Sequence, residues 1–189
     1  ENEQVIGLVA LMDVPNEEAM NAIHYFKSQN IETTMITGDA KLTGEAVGRL
    51  VGVDQVFANV LPEEKSAIVD QLKREVGMTG MVGDGINDAP ALVNADIGVA
   101  MGDGTDIAID VADVVVMKND LSKLGYAHRV SKRLNKIVQQ NIIFSMLVVA
   151  TLIILNFLGI ANIAFSVLIH EGSTLVVIFN GLRLLVNTK

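Results

Sequence analysis

Among its 189 residues this chain has no cysteine and no tryptophan, and aromatic residues make up only 4%. Without thiols, a disulfide scaffold and any thiolate metal site within the chain are excluded. Charge is also scarce, at 19% of residues, while half of the chain is hydrophobic. Aliphatic bulk on that scale excludes a disordered chain and has to be absorbed by a core, a bilayer or both. The length allows one ordinary domain and a little more, not several. A formal net charge of −8 argues against a nucleic-acid partner. No Gly-rich Walker loop occurs. The first residues, Glu1-Asn2-Glu3-Gln4, offer neither an initiator Met nor the basic and apolar regions of a signal peptide, so the chain is expected to start inside a longer parent.

What charge there is falls unevenly. Residues 1–117 hold 20 acidic and 6 basic side chains, a balance of −14, whereas residues 118–136 hold 6 basic and 1 acidic, a balance of +5. The last 53 residues hold one acid and two bases. This partition predicts an acidic soluble domain over 1–120, a basic stalk helix over 121–140 and an apolar tail over 141–189.

Within the soluble part, short aliphatic runs alternate with helical stretches. Strands are expected at Val5–Met12, Ile31–Ile36, Gln55–Ala58, Thr79–Val82, Ile97–Met101 and Val114–Met117. Asp13-Val14-Pro15-Asn16 reads as a turn into a helix ending near Gln29, and further helices are expected near Lys41–Val51, Pro62–Glu75, Asp88–Asn94 and Asp106–Val111. Such alternation implies an α/β fold whose parallel sheet is covered by helices on both faces. Ligands in such folds sit beyond the carboxyl ends of the strands.

Three segments at those ends carry candidate chemistry. In Thr37-Gly38-Asp39 a hydroxyl and an exposed N–H could hold phosphate oxygens, although a plain polar turn would read the same way. In Gly83-Asp84-Gly85-Ile86-Asn87-Asp88-Ala89-Pro90, Asp84 follows a strand directly and projects where oxygens would hold a hard cation such as Mg²⁺. Asp88 is placed to cap the helix that follows, with Pro90 in its first turn. Lys65 sits after Leu61-Pro62-Glu63-Glu64 in the first turn of a helix, where the macrodipole disfavours a cation, and a local rule broken in this way hints at function. Together the segments suit phosphoryl transfer: donors for phosphate oxygens, a cation for developing charge, and a carboxylate for Mg²⁺. No aspartate in this stretch is placed as an obvious nucleophile.

In this order and spacing, Thr37-Gly38-Asp39, Pro62-Glu63-Glu64-Lys65 and Gly83-Asp84-Gly85-Ile86-Asn87-Asp88-Ala89-Pro90 resemble the later motifs of P-type ATPases, cation pumps with a haloacid-dehalogenase-like phosphorylation domain. Asp13-Val14-Pro15 and Met101-Gly102-Asp103-Gly104-Thr105-Asp106 resemble landmarks of their heavy-metal branch, so the resemblance covers nearly the whole chain. It implies that Thr37 and Gly38 contact the phosphoryl group, that Lys65 stabilises its charge, and that Asp84, with Asp88, serves the Mg²⁺ site. Asn87 and Asp88 would orient that site, and Asp39 and Asp13 would lie near the ATP nucleotide or a hinge. The family's Asp-Lys-Thr-Gly-Thr segment, with its phosphorylated Asp, is absent from the sequence. The actuator, the nucleotide-binding domain and the other transmembrane helices would then be partners supplied by the rest of the same pump. Thr43-Gly44-Glu45 matches a dephosphorylation signature in letters only, because it falls inside an expected helix.

The tail is apolar from Ile142 to Leu158 except for Ser145, Thr151 and Asn156, and these 17 residues would span roughly 25 Å as a helix. A second apolar stretch, Ile163–Leu185, follows the break at Gly159-Ile160-Ala161-Asn162, and neither stretch has a balancing polar face. A helical hairpin through a lipid bilayer is expected, and Lys132, Arg133, Lys136, Arg183 and Lys189 put both of its ends, and residues 1–140, on the cytoplasmic side of the cell membrane. The second stretch contains His170-Glu171-Gly172-Ser173-Thr174. An acidic side chain at mid-bilayer costs about 3 kcal/mol, which argues for a role. Helical spacing puts His170, Ser173 and Thr174 on one side, and Glu171 one turn from Thr174. Ser173 and Thr174 could equally hold helices together, whereas His170 with Glu171 reads as an ion site. Nitrogen and oxygen donors suit Zn²⁺, Co²⁺ or Fe²⁺ better than Cu⁺. The run also resembles the last-helix signature of cobalt, zinc and iron exporters.

The expected function is the C-terminal part of an ATP-driven exporter of a divalent transition metal. The alternative is a membrane-anchored binding or regulatory module with a phosphatase-like fold and no catalysis; a soluble small-molecule phosphatase is disfavoured by the two apolar stretches.

Overall fold

The computed structural model describes residues 15–117 and 120–185. The expected strand Val5–Met12, together with Asp13, Val14 and Lys189, lies outside the described residues. From Pro15 onward, helices and strands alternate as the sequence pattern predicts: α1 (Glu17–Ser28), β1 (Thr34–Ile36), α2 (Lys41–Val51), β2 (Gln55–Phe57), α3 (Lys65–Val76), β3 (Gly80–Gly83), α4 (Ala89–Asn94), β4 (Ile97–Met101), α5 (Asp106–Val111) and β5 (Val114–Val116). Short 3₁₀ turns at Pro62–Glu64 and Ile86–Asp88 lead into α3 and α4. The helix starts follow from their capping residues. Asn16 Oδ1 accepts the Ala19 N–H at 2.8 Å, and Glu17 and Glu18 fill the first turn of α1, where the dipole welcomes them. The triplet Thr43-Gly44-Glu45 lies inside α2, as expected.

All strand pairs are parallel, because each is joined by a helical crossover. Among the described residues they form two groups rather than the single sheet expected: β1 beside β2, and β3-β4-β5 with β4 in the centre. Strand β4 is buried on both faces from Gly98 to Met101. Its Ala100 packs with Leu92 of α4 and Ala108 of α5, while Val99 and Met101 face the other way onto Val116, Leu121 and Leu124. That alternation is the two-sided burial that an aliphatic parallel strand requires.

At the amino ends of the strands one device recurs three times. Asp54, Asp96 and Asp113 each stand in the loop before a strand, and their carboxylates accept the backbone N–H of Thr33, Thr79 and Gly98 respectively, at 2.8–2.9 Å. Each Asp returns its own N–H to the carbonyl of the same residue at 2.8–2.9 Å, closing a small ring between neighbouring strand starts. Lys27 and Lys73 pair with Asp54 and Asp96 at 2.7 and 3.1 Å. The Lys27 ammonium and the Thr33 donors hold the Asp54 carboxyl down at about 2, and the Thr79 N–H with Lys73 likewise keeps Asp96 below its ordinary value.

The chain divides into two units, residues 1–125 and 126–189. The second consists of helix α6 (Ser122–Phe157), which begins in the first unit, and α7 (Ile163–Leu182). Helix α6 runs through the expected stalk, 121–140, and on through most of the first apolar stretch in 36 residues without interruption. No Gly or Pro stands between Tyr126 and Phe157 to break it. Asn162 Oδ1 caps α7 through the Phe165 N–H at 2.8 Å. Two amide bridges tie the hairpin: Asn156 Nδ2 to Ser166 Oγ at 3.1 Å, and Asn180 Nδ2 to Asn141 Oδ1 at 2.8 Å. Both helices are long and apolar enough to cross a membrane, and their large apolar side chains, such as Ile143, Met146, Leu168 and Phe179, are exposed rather than packed inside the protein.

The Asp54 ring yields a pH test. Its charged form is favoured by folding, so its contribution is complete above the unfolded value of 3.8 and disappears as pH falls through about 2. Because the pair is about one-third exposed, solvent screening reduces the expected contribution to about 1 kcal/mol. Asp54→Ala should therefore lose about 1 kcal/mol in urea unfolding at pH 6, with the difference from wild type vanishing near pH 2.

Candidate functional site

The candidate residues gather where parallel strands end. Thr37-Gly38-Asp39 follows β1, Asp84 follows β3, and Gly102-Asp103-Gly104 follows β4. The β1 loop is stitched to the segment after β2: Thr37 N–H donates to the Phe57 carbonyl at 2.9 Å, Val60 N–H to the Thr37 carbonyl at 3.1 Å, and Asn59 N–H to the Asp39 carbonyl at 2.8 Å. The Thr37 hydroxyl donates to Asp39 Oδ2 at 2.9 Å and accepts the Asp39 N–H at 3.1 Å. Asp39 thus orients the hydroxyl beside it. The Gly38 N–H is exposed and meets no protein acceptor among the described residues, which leaves a donor available to an anion.

The second half of the site centres on a partly buried ion pair. Lys65 Nζ lies 2.7 Å from Asp88 Oδ1, with side-chain exposures of 19% and 10%. The other Asp88 oxygen accepts the N–H groups of Asp84 and Gly85, each at 3.3 Å. Asp88 was expected to cap α4; instead its side chain turns back. Residues 86–88 form a 3₁₀ turn, so Asp88 sits at the turn's third position in a helical conformation and reaches its start, as the acidic member of a capping box does. With both oxygens engaged, Asp88 positions the loop, and Asp84 is left as the exposed carboxylate at the strand end, with no hydrogen-bond partner for its side chain among the described residues. Asn87 is likewise exposed beside it.

Close approach sets the loop's path. A Cβ on Gly83 would stand 2.6 Å from the Asp88 Cβ, and one on Gly104 would stand 2.5 Å from the Asp84 carbonyl oxygen. That carbonyl accepts the Thr105 N–H at 2.9 Å, so the loops after β3 and β4 are locked together. Lys65 is in turn fixed by α3, which buries Val69 and Leu72 and packs on α4, where the Asn94 amide donates to the Ser66 carbonyl at 3.0 Å.

In α7, His170 Nδ1 and Glu171 Oε1 are 3.7 Å apart and both side chains are exposed. Ser173 and Thr174 do not join them. Their hydroxyls donate to the His170 carbonyl at 2.6 and 3.3 Å, the back-bonding common to these residues inside helices. His170 also lines a groove with Val149, Leu152, Ile153, Asn156 and Phe157. Among the described residues no three His, Asp or Glu side chains converge as a metal site. Sequence reasoning missed the partner of Lys65 and both amide bridges of the hairpin. Their only trace in the sequence is Asn141, Asn156 and Asn180 standing in or beside apolar runs.

The family model for haloacid dehalogenase-like hydrolases matches residues 1–96. The chain belongs to this family. Within it, the expected resemblance to P-type heavy-metal ATPases is borne out. The haloacid dehalogenase-like chain is 47% identical over 184 residues to a zinc-transporting ATPase of Bacillus subtilis, covering 97% of itself and 29% of that protein. A cadmium, zinc and cobalt-transporting ATPase of the same organism is 41% identical, with 97% and 27% covered. Among solved structures, a zinc-transporting PIB-type ATPase matches with a TM-score of 0.90 and 34% identity over 97% of the chain and 30% of the other. The chain therefore spans under a third of the length of these relatives.

The ion pair is open to a direct test. Lys65→Met strands a buried carboxylate and should cost about 3 kcal/mol in chemical unfolding at neutral pH. Adding Asp88→Asn should recover part of that loss in a double-mutant cycle.

Proposed function

We infer that this chain is the C-terminal part of an ATP-driven exporter of a divalent transition-metal cation, working through an aspartyl phosphate whose nucleophile lies outside the chain. The observation that carries this reading is the ordering of the Asp84 loop by the partly buried Lys65–Asp88 pair, at the strand ends where a phosphoryl group would be handled. It is supported by 47% identity to a zinc-transporting ATPase over nearly the whole chain.

In this reading the Thr37 hydroxyl and the Gly38 N–H hold phosphoryl oxygens of ATP and of the aspartyl phosphate. Lys65 offers its ammonium to the developing charge, while Asp88 keeps that ammonium and the Asp84 backbone in place. Asp39 orients Thr37, and Asn87 flanks the carboxylate. The donor set suits Mg²⁺: an exposed carboxylate at a strand end, without the closed cage of protein ligands that this ion seldom uses. Asp84 would hold it, and bound Mg²⁺ would neutralise charge on the phosphoryl oxygens. In the hairpin, His170 and Glu171 supply nitrogen and oxygen donors for a cargo of Zn²⁺, Co²⁺ or Fe²⁺, with further ligands from other helices of the pump. The hydroxyls of Ser173 and Thr174 are back-bonded to their own helix and are secondary candidates as ligands. The hairpin crosses the cell membrane with residues 1–140 in the cytoplasm; the actuator, the nucleotide-binding domain and the remaining transmembrane helices belong to the rest of the pump.

In the complete protein, Asp84→Asn should abolish Mg²⁺-dependent phosphoenzyme formation from ATP. His170→Ala and Glu171→Ala should each reduce metal-stimulated turnover at least tenfold, assayed across Zn²⁺, Co²⁺, Fe²⁺ and Mn²⁺. Normal metal transport by both hairpin variants would overturn the reading, as would vigorous metal-stimulated ATP hydrolysis by the isolated chain.

A further inference from the structure

The groove in the hairpin is walled by Val149, Leu152, Ile153 and Phe157, and two polar side chains line it, His170 from α7 and Asn156 from α6. Asn156 bridges to Ser166, but that bridge does not exhaust its amide. Its Nδ2 donates to the Leu152 carbonyl at 3.2 Å and to Ser166 Oγ at 3.1 Å, which engages both of its N–H groups. A carbonyl can only accept, so Leu152 fixes which end of the amide faces the backbone. The Asn156 Oδ1 is left without a hydrogen-bond donor among the described residues. An acceptor held in one orientation and spared by its neighbours is available as an oxygen ligand for a cation.

Its place along the hairpin gives this oxygen a side. Helix α6 ends at Phe157, next to Asn156, and α7 begins at Ile163. His170 lies about 10 Å along the α7 axis from that start, with Ser166 one turn nearer to it. With both hairpin ends cytoplasmic, the connection at 158–162 faces the opposite side, and Asn156 stands between His170 and that side. The rest of the groove wall is apolar and offers a cation no ligand. A cation leaving His170 and Glu171 past that wall alone would shed its protein ligands at a depth where charge is costly. The groove holds about 330 Å³. At about 30 Å³ per water, that is room for a cation with part of its hydration shell.

We propose that Asn156 Oδ1 is a ligand for the divalent cargo on the release side of His170, taking the cation as it leaves Glu171. This rests on the reading of His170 and Glu171 as the cargo site. A neutral amide oxygen suits the step, because it replaces one water of the ion yet holds a divalent transition metal less firmly than imidazole with carboxylate does. The cation is received without being trapped.

The test uses the complete pump in vesicles, with ATP outside and Zn²⁺ preloaded in the lumen, which corresponds to the non-cytoplasmic face. Lumenal Zn²⁺ should inhibit the wild type by occupying the release site. Asn156→Leu should raise the half-inhibiting lumenal concentration about tenfold, as loss of a polar partner to a charged group implies, and lower kcat while leaving KM for external metal unchanged. Asn156→Asp, which keeps an oxygen and adds charge, should strengthen the inhibition. Ser166→Ala breaks the bridge but leaves the Asn156 oxygen, and should match the wild type. Equal effects of Asn156→Leu and Ser166→Ala would overturn the proposal and reduce Asn156 to a clamp, and inhibition unchanged in Asn156→Leu would overturn it as well. A second readout needs no turnover: at saturating Co²⁺ the visible absorption of the complete protein should change in Asn156→Leu and not in Ser166→Ala. A pump that fails to hydrolyse ATP in response to metal, yet shows that spectral change, would sink the transport reading and leave the ligand standing; active transport with an unchanged spectrum would do the reverse.

Discussion

A cation and a carboxylate withdrawn from water together decide the conformation at the strand ends. Lys65 and Asp88 meet at 2.7 Å, and the buried Asp88 carboxylate would be costly without the ammonium beside it. Because Asp88 is anchored by Lys65, its second oxygen is free to collect two backbone N–H groups, and the loop after β3 is bent around it. The Asp84 side chain is left facing outward as a result. Its exposure is thus a product of the pair rather than an accident of a surface loop. The packing of α3 on α4 serves the same end, since it delivers Lys65 to Asp88 across 23 residues of sequence.

The two ends of the strands use acidic residues in opposite ways. At the amino ends, Asp54, Asp96 and Asp113 spend their oxygens on neighbouring backbone and become part of the scaffold. At the carboxyl ends, one carboxylate is consumed in positioning so that another can stay available. The strongly acidic composition of this part of the chain therefore divides between structure and chemistry, and sequence composition alone does not separate the two.

Much of the architecture was legible because its signals are local. Aliphatic runs of three to five residues punctuated by Gly, Pro and Asp gave α2, β4 and α5 with the bounds observed. The grouping of strands, by contrast, depends on pairing between distant segments. Lys65 stood out because it violates the dipole rule, yet its partner could not be read from spacing, as nothing local links positions 65 and 88. Asp88 was misread as a cap of α4 because a 3₁₀ turn and a helix start share the same letters; only the backbone tells which way the side chain turns. In the second unit, polarity changes near residue 136 while α6 continues, since no Gly or Pro stands there to break it.

Gly83 and Gly104 press against Asp88 and against the Asp84 carbonyl so closely that neither has room for a methyl group. Every codon change that alters a glycine adds at least that much bulk. These two positions therefore offer no graded variants through which selection could retune the loop, and diversity in the behaviour of this pocket has to arise at residues around it.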